Sequence, residues 1–211
     1  MNAPLSRNRW SWAFALAVIA QVGVVLAIPI PKALTLATGT SIFLETRPVD
    51  PYDPLRGRYV TLDYFLEDPP SIETIPGYLS IDEIEATFEQ MPDRIYFIME
   101  PRDSTSSESN SSGSTETNSV IAWEAVRIAY LLPEKLEQGQ QVLAGELRVN
   151  RYNVWHTAID LGLDSYFIPE TIGDELEDDI REHREGTLVE VKVDRRGNSA
   201  LVGVWVEDRQ Y

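Results

Sequence analysis

Residues 58–67 read RYVTLDYFLE. Apolar and polar side chains alternate through the run. Val60, Leu62, Tyr64 and Leu66 fall on one face and Tyr59, Thr61, Asp63 and Phe65 on the other. A period of two marks a β-strand with one face against a core, because successive Cβ atoms point to opposite sides of a sheet. Similar runs occur at 41–49, 95–99, 120–130, 142–149, 155–159, 187–194 and 200–206, the last two joined by the turn Arg195-Arg196-Gly197-Asn198. Two stretches have helical spacing instead: IDEIEATFEQM at 81–91 and DELEDDIREHRE at 174–185, the second with only Leu176 and Ile180 as an apolar stripe. Many short strands with two minor helices predict a mainly β domain, an antiparallel sandwich or barrel.

That domain follows a segment of different character. From Trp10 to Pro31, WSWAFALAVIAQVGVVLAIPIP, 22 residues carry no charge. As a helix this run is about 33 Å long, against a hydrocarbon core of about 30 Å. Trp10 and Trp12 suit the membrane interface, and Pro29 and Pro31 are expected to end the helix. Arg7 and Arg9 in a basic tail, residues 1–9, favour a cytoplasmic N-terminus. The expected organisation is that tail, one transmembrane anchor at 10–31 and an extracytoplasmic domain at 32–211. A cleaved signal peptide is the rival reading, although its apolar region is usually only about 7 to 15 residues long.

Charge divides the chain in the same place. The first 44 residues carry +3 and no acid, which leaves −19 on the rest of a chain of net charge −16. An acidic body repels a phosphate backbone, which argues against nucleic-acid binding. The chain contains no cysteine, so disulfides, thiolate metal sites and cysteine nucleophiles are excluded. Residues 103–119, DSTSSESNSSGSTETNS, include nothing apolar and are expected to form a disordered loop within the domain.

Complete catalytic sets are hard to assemble from this chain. Asp179 and His183 stand at i, i+4 on the acidic helix, a spacing that can hold a metal, but a third ligand at a defined spacing is missing. A solvated acidic face is the favoured reading of the pair, since charged runs are normally exposed, and His156 reads as the polar face of a strand. There is no G-x-S-x-G elbow and no S-x-x-K, and only Lys32, Lys135 and Lys192 are available for a Ser-Lys dyad. Asp50 and Asp53 flank Pro51-Tyr52 and suit turn initiation, although with Glu170 they also offer a carboxylate pair in space. Neither a metal nor any other cofactor is expected.

Val49-Asp50-Pro51, followed by Leu55-Arg56-Gly57-Arg58-Tyr59-Val60-Thr61-Leu62-Asp63-Tyr64, resembles the motif of the GDYXXLXY family. A second block, Gly162-Leu163-Asp164-Ser165-Tyr166-Phe167-Ile168-Pro169-Glu170, resembles the family's later tyrosine-phenylalanine-valine-proline-glutamate element. The resemblance implies one N-terminal span and a multi-spanning membrane-protein partner. Arg58 departs from it, standing where the family has Asp. A catalytic acid does not tolerate that inversion of charge, whereas a solvated or paired residue at the start of a strand does.

Both blocks concentrate tyrosine, proline and acid, and are expected to lie side by side as one recognition surface of Asp50, Asp53, Arg58, Tyr59, Tyr64, Tyr166 and Glu170. The reading is a membrane-anchored, non-enzymatic accessory or binding module. The alternatives are a metal-dependent or carboxylate-based envelope hydrolase and a degenerate signal-peptidase-like protein.

Overall fold

The alternating run becomes a strand whose buried face holds Leu62 and Tyr64 while Asp63 stays exposed. A computed structural model of the chain describes residues 7–49, 59–67, 69–79, 83, 92–102, 120–148, 158–167, 176, 179, 187–206 and 209–211. Two helices lead in, α1 (Arg7–Ala27) and α2 (Pro29–Thr38). Ten strands follow: β1 (Thr40–Val49), β2 (Tyr59–Tyr64), β3 (Arg94–Pro101), β4 (Trp123–Ala129), β5 (Gln141–Arg148), β6 (Ala158–Asp160), β7 (Ser165–Phe167), β8 (Thr187–Val193), β9 (Ser199–Val206) and β10 (Arg209–Gln210). A single helical turn, α3 (Pro69–Ile72), lies between β2 and β3.

The strands make two sheets, one ordered β10-β9-β8-β1-β2-β7 and the other β4-β3-β5-β6, and every described pairing is antiparallel. Both contribute to one core. Ile42, Leu44, Leu62, Val189 and Val191 come from the first sheet, and Phe97, Met99 and Leu143 from the second. Strand β8 shows the cause: Thr187, Val189, Val191 and Val193 point inward, and Leu188, Glu190 and Lys192 alternate outward. Between the sheets, Arg102 at the end of β3 grips both oxygens of Glu45 on β1, a bidentate pair that also fixes their separation. Of the expected mainly β antiparallel domain, sandwich or barrel, the structure shows the mainly β character and two antiparallel sheets.

Several boundaries differ from the periodicity. The strand at 58–67 stops at Tyr64 because Phe65–Glu67 turns into one 3-10 turn. Strands β7 and β10 have three and two residues, too few for alternation to register. The expected helices at 81–91 and 174–185 lie outside the described residues except for Glu83, Leu176 and Asp179, each of which is helical.

The prolines act differently from expectation. Helix α1 stops at Ala27, but Pro29 begins a second helix that runs on to Thr38, across a bend of 51°. Proline is favoured in a first helical turn, where its missing N–H would be unpaired anyway and its φ is already helical. So the break starts a helix where the sequence alone suggested an end. Among the described residues no single helix is long and apolar enough to cross a membrane; α1 and α2 pass that test only together, as a bent pair, and by length and composition alone. Trp12, Phe14, Leu16 and Ile19 on α1 are each more than 70 % exposed among the described residues.

Helix α2 is joined firmly to the domain. Its Thr35 is buried, it packs on β8 and β9, and Lys192 on β8 donates to the Leu36 carbonyl at 2.8 Å. Gly39 closes it by donating to the Thr35 carbonyl at 2.8 Å. A Cβ at Gly39 would stand 2.5 Å from that oxygen.

The serine-rich stretch at 103–119 lies outside the described residues, but its flanks are held together. Pro101 pairs with Trp123 across the hairpin, and the Arg102 N–H donates to Ala122 at 2.8 Å. With the closure made by its neighbours, deleting 104–118 should shift stability by no more than about 0.6 kcal/mol per halving of loop length. Thermal unfolding of the wild-type and shortened chains checks this; a fall of many degrees would show that the segment packs on the domain.

Candidate functional site

The two sequence blocks meet through their backbones. Strand β2 pairs with β7, setting Tyr59 opposite Phe167, Val60 opposite Tyr166 and Thr61 opposite Ser165. Past the end of the ladder the Leu62 N–H donates to the Asp164 carbonyl at 2.9 Å. Tyr64 is 1 % exposed, and its hydroxyl donates to the Leu163 carbonyl at 3.1 Å. Burial, with Glu67 and Asp164 close by, pushes that hydroxyl far above the usual phenol range, so it stays protonated and a donor. Tyr64 therefore fastens one block to the other from inside the core and is not open to a partner.

The same junction gathers carboxylates. Glu67 ends the turn after β2, Asp160 ends β6, and Asp164 lies in the connection to β7; one oxygen from each falls within 4.8 Å of the others. Gly162 makes this possible. Its φ of +64° is left-handed, a conformation that glycine adopts without Cβ strain, and its N–H donates to Asp160 at 2.7 Å. Asp160 also pairs with Arg148. Glu67 accepts the Leu161 N–H at 2.8 Å, which ties the β2 end to the β6–β7 connection.

Electrostatics follow from this crowding. Burial pushes the Glu67 carboxyl up to about 7; the Leu161 N–H opposes the rise, while Asp164, Asp160 and Asp63 add to it. Asp164, more open to solvent, is also raised, by desolvation and then by Asp160, against the pull of Arg148. Three close oxygens are a donor set that suits a hard divalent cation, and equally one that shares a proton when no cation is present.

A family model described as GDYXXLXY protein matches residues 21–204. The chain belongs to the GDYXXLXY family. No curated protein and no solved structure matches it.

The family's name describes the pattern that Gly57, Tyr59, Leu62 and Tyr64 carry here, with Arg58 in place of the Asp. Its L-x-Y half is structural in this GDYXXLXY chain: Leu62 is 2 % exposed, and Tyr64 holds the second block. Of the other expected surface residues, Asp50, Asp53, Arg58 and Glu170 lie outside the described residues, as do His156, His183 and the Tyr59 side chain. Tyr166 is half-buried, and its hydroxyl donates to the Tyr211 carbonyl at 3.0 Å, holding the C-terminus. Asp179 is engaged by the Tyr211 hydroxyl and by Arg209 at 3.3 Å.

Glu67 and Asp160 were not legible as a site. The signal available was Asp164 inside the second block, and an acid (Glu67) three residues beyond the first.

Two outcomes follow from this geometry. Tyr64→Phe leaves the Leu163 carbonyl without its donor and should cost about 1 to 3 kcal/mol in denaturant unfolding. Glu67 has its own pH dependence: the folded chain keeps this proton up to about pH 7, whereas an unfolded glutamate loses it near its ordinary value of 4.5. Its stabilising contribution is full below pH 4.5 and is lost as pH rises through 7. After discounting for its partial exposure, Glu67→Gln should stabilise the fold at pH 8 by about 1 to 2 kcal/mol and flatten the profile between pH 5 and 7. A variant profile parallel to the wild type across that range would contradict the assignment.

Proposed function

We propose that this GDYXXLXY chain is a membrane-anchored, extracytoplasmic accessory or binding module, non-enzymatic, which works beside a multi-spanning membrane protein. The observation that carries the reading is an exposed apolar helix continuous, through one bend, with a helix packed on the domain. Such a surface is costly in water and is normal among lipid tails. The position of Arg7 and Arg9 before it, and of the acidic mass after it, supports a cytoplasmic N-terminus. The chemistry of the family motif supports a binding role, since Leu62 and Tyr64 act inside the core and Arg58 cannot replace an acid in a reaction. A partner with several spans fits a single helix that carries one amide, Gln21, within its apolar run.

The Glu67–Asp160–Asp164 cluster favours a second reading, carboxylate-based hydrolysis. A carboxyl pushed up to about 7 beside two further carboxyl groups is an arrangement suited to acid–base work.

Topology is directly testable. A reporter that works only outside the cytoplasm, fused after Tyr211, should be active, and the full chain should stay with membranes through a high-salt wash. A soluble product beginning near Ile28 would replace the anchor with a cleaved signal.

A further inference from the structure

Two clefts open beside the first turn of α2 and share Pro31 and Asn198. The first, about 390 Å³, is lined by Lys32, Arg94 and Arg148 with Glu146 and Asp160. The second, about 700 Å³, is lined by Arg195 and Arg196 at the tip of the β8–β9 hairpin, with Asp194. Five basic side chains against three acidic ones is an inversion of sign on a chain of net charge −16.

Two of the three acids are moreover occupied. Asp160 pairs with Arg148. Asp194 accepts the N–H groups of Arg196 at 2.8 Å and Asn198 at 2.9 Å, and the Asn198 side-chain amide at 2.8 Å. Arg94 donates to Asn198 and faces Glu146 across the ladder, with Asp93 beside it. Lys32, Arg195 and Arg196 are exposed, and carry the positive field.

The position of this field identifies its counterpart. Lys32 directly follows the apolar run at 10–31, about 33 Å as helix, which takes in α1 and the start of α2. Where that run fills the hydrocarbon core, Lys32 stands in the headgroup layer beside it. Arginine's planar fork suits phosphate oxygens, and the span already holds the hairpin close to them.

We infer that the α2 start and the β8–β9 hairpin tip form a headgroup-binding face, with Lys32, Arg195 and Arg196 contacting the phosphates of anionic lipids. The inference rests on the anchored reading above and adds to it a contact that holds the hairpin tip at the lipid surface.

The test uses the full chain in lipid nanodiscs, comparing phosphatidylcholine alone with a mixture containing phosphatidylglycerol, and reads amide hydrogen exchange across 193–199. Anionic discs should slow exchange there by about fivefold or more, the factor that one basic residue contributes at such a surface. High salt should abolish the difference, and so should the combined Lys32→Gln, Arg195→Gln and Arg196→Gln variant. Unchanged exchange in the β3–β5 ladder shows that the variant is folded. Equal exchange in both kinds of disc, with the chain incorporated, overturns the inference and leaves the anchor standing. The same slowing in neutral discs on addition of inorganic phosphate or polyglutamate overturns the lipid assignment. A chain that does not enter discs at all overturns the anchored reading, and this inference with it.

Discussion

A buried phenol needs a partner for its hydroxyl, and in this fold the partner lies about a hundred residues away in sequence. Tyr64 sits at the end of β2 with its ring in the shared core and its O–H on the Leu163 carbonyl. Leaving that donor unmade in a dry interior would cost more than most single side chains contribute, so the 161–164 connection is drawn to it. Once the connection is fixed there, Leu62 donates to Asp164, β7 pairs with β2, and the first sheet acquires its edge. The carboxylate cluster is a by-product of the same constraint. Asp160 and Asp164 bracket the anchored residues and so come close to Glu67.

This relation joins the two blocks in one structural unit. Their joint requirement is geometric: one supplies a donor and two apolar anchors, the other a carbonyl and a three-residue strand. Tyr64, expected among the surface residues, is the fastening, and the surface available for recognition is what remains around it. Tyr166 follows the same pattern at lower burial, linking β7 to the C-terminal carbonyl of Tyr211.

The two-layer β architecture was readable from alternation because each long strand has one wet face and one dry face. Strand β8 keeps strict period-two burial along its whole length. Interactions between separate parts of the chain were not readable. Nothing in a local pattern announces that Arg102 will grip Glu45, or that Glu67 will accept a proton-raising neighbour from β6. Very short strands escape for a related reason: β7 is held by its partner, with too few residues for propensity to show. The prolines at 29 and 31 were ambiguous in principle, since the same residue that stops one helix is favoured in the first turn of the next.

Helix α2 and Gly39 set a further condition on how the domain works. The apolar helix reaches the β-sheets through a packed helix and a glycine closure with no spare room, so no slack tether intervenes. On the proposed anchored reading, that turns search into a two-dimensional problem: the domain would sweep the membrane plane at a set height and meet only what shares that layer. Confinement of this kind raises the effective concentration of a membrane-resident neighbour without any new contact, so even a weak pairing surface can stay occupied. A partner diffusing freely in solution gains nothing from it.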